Sequence, residues 1–209
     1  MSHPQAAATR LVVFLDYQNV YSGAREAFHP YRASYTEGQV DPVKLADMIA
    51  SRGIGSRELT EVRVYRGRPD STRDPRGYGA NLRQCTAWEC QDPTRVRVIP
   101  RILRYPKNWP AEPAQEKGID VALAIDVVTM AIRDEYDVAV VMSTDTDLKP
   151  ALEAVTSLRG NPYPRCEVAA WSSPHGYSRR LSIASKRLWC HWLSEDDYRA
   201  VADPTDYAA

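Results

Sequence analysis

Two aspartates stand two residues apart in Ser143-Thr144-Asp145-Thr146-Asp147, directly after an apolar run that ends at Met142. A third, Asp16, closes the apolar run 11–15, and a fourth, Asp120, opens a long apolar stretch. Carboxylates brought together repel one another, so some must protonate or a cation must neutralise them. Oxygen-only ligands favour hard cations, Mg²⁺ or Mn²⁺. Such an ion can activate water and stabilise charge on a phosphodiester oxygen. A plainer reading fits one of the residues: Asp145 caps the helix that follows it, where an anion suits the helix dipole. That accounts for Asp145 but not for the pair together with Asp16.

These side chains can meet only if the elements carrying them deliver them to one place. The run 11–15 has strand length, and Val20, Ala24 and Ala27 behind it recur at helical spacing. Asp41-Pro42 starts a second helix, closed near Gly53, with Leu45, Met48 and Ile49 on its apolar face. Alternation over 61–66 predicts a second strand, 67–76 reads as a loop, and Tyr78, Leu82, Cys85 and Trp88 mark a third helix. A third strand is expected at 96–99, extended past Pro100 by Ile102 and Leu103, followed by an irregular stretch, 106–116, with three prolines. Residues 117–133 are nearly all apolar and too long for a strand, which predicts a buried helix. A fourth strand over 137–142, a helix over about 148–158 closed near Gly160, and a fifth strand over 166–171 come next. The chain ends with a helix over 177–186, a last strand over 188–192 and a short helix over 194–202.

Strands alternating with helices predict an α/β fold, a parallel sheet covered on both faces. Ligands in such sheets sit beyond the carboxyl ends of the strands, where the strand order switches. If strands one and four are neighbours, Asp16, Asp145 and Asp147 face one crevice. Asp120, near the start of its helix, can reach it as well. Asp126, six residues on, lies about 240° further round the helix and cannot share that face.

The 209 residues can bury a substantial core as one domain with appendages. The 27 basic and 27 acidic residues cancel, so only a local patch could mark a nucleic-acid partner. Cys85, Cys90, Cys166 and Cys190 are too scattered for a disulfide framework and form no C-x-x-C zinc pair, which predicts reduced cysteines and a cytoplasmic protein. The first residues lack an apolar leader segment, and no apolar run approaches membrane-spanning length.

Leu15-Asp16-Tyr17-Gln18-Asn19, Lys117-Gly118-Ile119-Asp120 with Asp126, and Ser143-Thr144-Asp145-Thr146-Asp147-Leu148 look like the three motifs of NYN domains, relatives of the PIN-domain nucleases. The resemblance runs from about residue 10 to 172. It implies a three-layer PIN-like (Rossmann-like) sandwich around a central, mainly parallel sheet of about five strands, and metal-dependent ribonuclease activity. By position it makes Asp16, Asp120, Asp145 and Asp147 the Mg²⁺ or Mn²⁺ ligands and, with Asn19, the catalytic set. Asn19 would orient Asp16 or water, Ser143 would bond to a neighbouring carboxylate or to substrate, and Lys117 would touch a substrate phosphate. Asp126 also fits the pattern, but its helix position assigns it a structural role, bonding to nearby backbone. The chain departs from the family where small residues such as Gly are common, at Thr144 and Thr146, and where Phe is common, at Leu148. A larger side chain at Thr144 narrows the approach to the metal.

Basic residues are concentrated near the same strand ends. Arg66, Arg68 and Arg104, with Tyr65, Tyr78, Tyr105 and Trp109 around them, can neutralise phosphates and stack on unpaired bases, which makes RNA the expected partner. A solvated face paired with Glu61, Asp70 and Asp74 is the competing reading. Histidines are scattered, and no P-loop exists. Gln18 stands where a haloacid-dehalogenase phosphatase needs an aspartate. The runner-up function is an RNA-binding or regulatory module that keeps the fold without turnover. The domain division expected is a flexible N-terminus over 1–9, the NYN/PIN-like domain over 10–172, and a C-terminal extension over 173–209 packed on it. No membrane partner is expected, and a second copy or a protein partner is left open.

Overall fold

The computed structural model describes residues 8–29, 34–158, 165–176 and 178–209. Strand β1 (Thr9–Asp16) is buried on both faces from Leu11 onward, as its unbroken apolar run requires for the centre of a parallel sheet. Around it stand β2 (Arg57–Arg68), β3 (Val96–Ile102), β4 (Val138–Met142), β5 (Arg165–Trp171) and β6 (Trp189–Leu193). The order is β3-β2-β1-β4-β5-β6, and every strand pairing is parallel. The sheet therefore has six strands rather than about five, the sixth coming from beyond residue 172.

Alternation along β1 separates two cores. Leu11, Val13 and Leu15 pack with α1 (Tyr17–Phe28), α2 (Pro42–Ser51), α3 (Pro75–Gln91) and α6 (Glu195–Val201). Val12 and Phe14 pack on the other face with α4 (Ile119–Ile132) and α5 (Lys149–Ser157). The result is a three-layer α/β sandwich. Asp41 caps α2 through Val43 N and Lys44 N at 2.9 and 3.1 Å, with Pro42 at the first turn.

Three expectations about the elements need correction, and a fourth holds. Strand β2 runs on through Gly67 and Arg68, which pair with Arg101 and Ile102, so the loop begins later than 67. Strand β3 continues through Pro100 to Ile102, as expected, the proline tolerated because β3 is an edge strand and the missing N–H faces no ladder partner. Helix α4 is not buried all round: Val121, Ile125 and Ile132 are more than half exposed. Residues 178–186 form no helix. They cross from β5 to β6 with Leu181 and Ile183 turned into the α5 side of the core, an extended two-residue spacing. Arg180 Nη1 fixes the far end by donating to Leu188 O at 3.0 Å. The expected helix stop at Gly160 lies outside the described residues, as do positions 1–7 of the N-terminus.

Candidate acidic site at the strand ends

The β1–β4 register pairs Leu15 with Met142, so the next residues, Asp16 and Ser143, meet just past the strand ends. The order switches here, with β2 on one side of β1 and β4 on the other. Asp16 is 3% exposed. Its Oδ2 accepts from Asn19 Nδ2 at 2.6 Å and from Ser143 Oγ at 3.0 Å, and its Oδ1 accepts from the Asn19 backbone N–H at 3.3 Å, capping α1. Burial pushes the Asp16 carboxyl pKa up, further aided by the negative charge of Asp145, and the three hydrogen bonds only partly offset this.

Ser143 serves both strands' ends. Its Oγ donates to Asp16 and accepts the backbone N–H of Asp145 at 3.0 Å. Asp145 Oδ1 in turn accepts from Asp147 N at 2.9 Å and caps the 3-10 turn Thr146–Leu148. Asp145 is thus a cap and also a charge felt at Asp16; its Oδ2 has no hydrogen bond among the described residues. Thr144 Oγ1 donates to Asn19 Oδ1 at 2.7 Å, which leaves the Asn19 amide nitrogen aimed at Asp16. The Thr144 side chain is exposed and lines the cavity beside Asn19.

Asp120 and Asp147 stand at the same end of the sheet but less deeply. Helix α4 follows β3 and packs on the turn Thr146–Leu148; Asp120 lies in the first turn of α4 and Asp147 in that 3-10 turn. Asp120 is half-buried and Asp147 exposed, and neither carboxylate has a hydrogen-bond or ion-pair partner among the described residues. As the side chains stand, no three His, Cys, Asp or Glu residues among those described are grouped tightly enough to hold one metal ion together.

Glu116 was missed. It lies in the proline-containing loop before α4, and local spacing gave no sign that it reaches the sheet. Its Oε1 accepts the Gly67 N–H at 2.8 Å, near the end of β2, two residues beyond the Tyr65 that pairs with Asp16. A Cβ on Gly67 would come within 2.5 Å of that oxygen, so the contact depends on glycine. Burial and the charge of Asp16 raise the Glu116 pKa, opposed by the Gly67 hydrogen bond and by Arg66.

The structure sorts the expected basic residues. Arg66 bonds to Gln84 and lies 4.8 Å from the Tyr17 ring centroid and 5.3 Å from that of Trp88. Arg68 Nε donates to Asn81 Oδ1 at 3.2 Å. Arg66 and Glu116 line a cleft of about 600 Å³ on the β2 side of Asp16. Arg104 is exposed, paired to Gln115 only through backbone, and Lys117 is exposed without a partner among the described residues. Asp126 accepts from Arg63 Nη2 at 2.8 Å and Tyr65 Oη at 2.7 Å. Its role is structural as expected, but it bonds to β2 side chains rather than to backbone. Arg63 is held there together with Glu61, at 2.7 Å, paired as the competing reading expected but largely buried rather than on a solvated face.

Fold and site together define a three-layer α/β protein with an acidic crevice at its topological switch point. The NYN domain profile matches residues 10–161. The chain belongs to the NYN domain family, part of the PIN-like superfamily, whose members are generally nuclease-like. A crystal structure of VPA0982, a protein of unknown function from Vibrio parahaemolyticus RIMD 2210633, shares the fold with TM-score 0.51 at 17% identity, covering 93% of this chain and 98% of that one. No curated protein matches the chain. No helix among the described residues is long and apolar enough to cross a membrane.

Proposed function

We propose that the crevice cleaves RNA phosphodiester bonds with the help of Mg²⁺ or Mn²⁺. The observation that carries this reading is Asp16: a carboxylate at the switch point, locked by Asn19 and Ser143, its charge disfavoured by burial and further by Asp145. Uncompensated negative charge of this kind is relieved by a hard cation, and the donors on offer are all oxygens. Mg²⁺ usually takes one or two carboxylates and keeps several waters, so a tight three-carboxylate cage is not required. In this reading Asp16 and Asp145 bind directly, while Asp120 and Asp147 act directly or through water. The cation supplies Lewis-acid stabilisation of charge on the phosphate and lowers the pKa of water.

The chain's own residues do the rest. Asn19 and Ser143 hold Asp16 in one rotamer. Asp145 Oδ2, without a hydrogen bond among the described residues, is left as an acceptor that can orient a water. Arg66, Arg68, Arg104 and Lys117 serve the RNA backbone on the β2 and α4 sides. The four free cysteines suit a reducing, cytoplasmic setting.

Cleavage of mixed single-stranded and structured RNA with Mn²⁺ should be lost in Asp145→Asn. Equal cleavage by wild type and variant would identify a contaminant and sink the reading. Tight, metal-independent RNA binding with no product would instead favour the binding-module reading, which Thr144, larger than the small residue common there in the family, motivates. On the ribonuclease reading Thr144 helps rather than hinders, because it fixes the Asn19 amide. Thr144→Ala is expected to lower kcat/KM about fivefold, the worth of a ~1 kcal/mol hydrogen bond, and Thr144→Ser to restore it. A rise in rate on Thr144→Ala would show that Thr144 obstructs the site.

A further inference from the structure

On the side of Asp16 away from the arginine cleft lies a second cavity of about 740 Å³, between α1 and the end of β5. Asn19, Ser143 and Thr144 line it, and the first two also bond to Asp16. The cavity therefore lies one side-chain layer from Asp16, with Asn19 and Ser143 shared between them. Its far wall is Trp171, whose ring is fixed by Nε1 donating to Val20 O at 2.9 Å. Gly23 makes this wall accessible from α1: a Cβ there would stand 3.1 Å from Trp171 Cδ1. At the mouth, exposed Arg179 makes no hydrogen bond or ion pair among the described residues.

We infer that this cavity is a subsite for one unpaired nucleotide of the RNA, the neighbour of the residue whose phosphate reaches Asp16. The inference rests on the ribonuclease reading above and deepens it. The volume falls within the roughly 300–1,000 Å³ typical of pockets for small-molecule-sized groups. A fixed apolar wall with polar groups at its edge suits a base removed from its stack, which single-stranded recognition requires. The free guanidinium at the mouth suits the phosphate leading into the cavity. The substrate would then thread from the arginine side, past Asp16, into the pocket. Cleavage would need at least one unpaired residue beside the scissile bond.

The test uses full-length ¹⁵N-labelled protein in EDTA, where cleavage is off, titrated with uridine and adenosine 5′-monophosphates and then with a single-stranded RNA decamer. Amide shifts at Gly23 and over 169–171 are expected. Ser22 lies exposed on the rim of the cavity, so Ser22→Trp should block the mouth without disturbing the core. Ser22→Trp should raise the decamer Kd about tenfold, the effect of losing one base contact, while Ser22→Ala binds as wild type does. Shifts absent from those amides, or wild-type affinity in a folded Ser22→Trp, would overturn the inference. Shifts in the cavity without Mn²⁺-dependent cleavage would uphold the subsite and defeat the ribonuclease reading. Cleavage with unchanged KM in Ser22→Trp would do the reverse.

Discussion

Asp16→Asn is expected to lower RNA cleavage by about 10²–10³-fold while leaving the protein folded and, at neutral pH, no less stable than wild type. The loss follows from removing the one carboxylate that the crevice surrounds with donors. The stability follows from the sign of its pKa shift. The folded-state pKa of Asp16 lies above the ordinary value of 3.8, mainly because of burial. The folded protein therefore holds this proton more tightly than the unfolded chain does. Stability from this group is complete below the ordinary value and falls as pH rises through the raised one. Asparagine stands in for the neutral acid and still caps α1 well. The Tm difference, variant minus wild type, should grow with pH upward from about 4, where a domain of this size gains about 2–4 °C per kcal/mol.

Added Mn²⁺ should then raise the Tm of wild type and not that of Asp16→Asn, since a ligand bound only by the folded state stabilises it. Melting curves over a pH series, with and without Mn²⁺, measure both effects. A Tm difference flat across pH would refute the account of Asp16 as a strained buried charge. An equal Mn²⁺ response in both proteins would refute its place in the metal site.

The second large effect concerns stability and lies away from the crevice. Glu167 in β5 takes two hydrogen bonds from Arg57, Nη1 and Nη2 each at 2.8 Å, and a third contact from His191 Nε2, also at 2.8 Å. The Arg57 and His191 side chains are 2% and 1% exposed. Burial alone would raise the Glu167 pKa, but His191 and Arg57 overcome it and hold the carboxyl at about 2. Glu167→Ala strands a buried guanidinium and should cost about 3–5 kcal/mol, a Tm drop of roughly 6–20 °C. Because the folded pKa is depressed, this stability is present above the ordinary 4.5 and is lost as pH falls toward about 2. The triple replacement Arg57→Met, Glu167→Leu, His191→Leu should recover most of the loss, because a packed apolar cluster can replace a buried ion network. Denaturant titrations of the three proteins decide this. A Glu167→Ala loss under 1 kcal/mol would mean that solvent reaches the triad.

The sequence alone determined the alternation of strands and helices and the two residues at the heart of the site. The period-2 and 3.6 patterns are local, so the run 11–15 and the helical spacing of Val20, Ala24 and Ala27 could be read directly. An aspartate ending a doubly buried strand has few alternatives to a crevice at the sheet edge, which made Asp16 legible. Asp145 was legible as two things at once, and the structure shows the cap and the coupling to Asp16 together.

Tertiary structure decided everything that depends on partners distant along the chain. Glu116 reaches Gly67 across 49 residues, and Arg57 reaches Glu167 across 110, joined by parallel strands whose register no local pattern encodes. Residues 178–186 look helical by composition, yet they stay extended because Leu181 and Ile183 fill the core beside α5 while the chain crosses to β6. Helix α4 is apolar on every side in sequence, and only packing shows which stripe is covered and that Val121, Ile125 and Ile132 are left out. Local patterns name the elements and the charged residues at their ends. The burial that gives Asp16 its energy and the long-range contacts that hold Glu116 and Glu167 exist only once the sheet has closed around them.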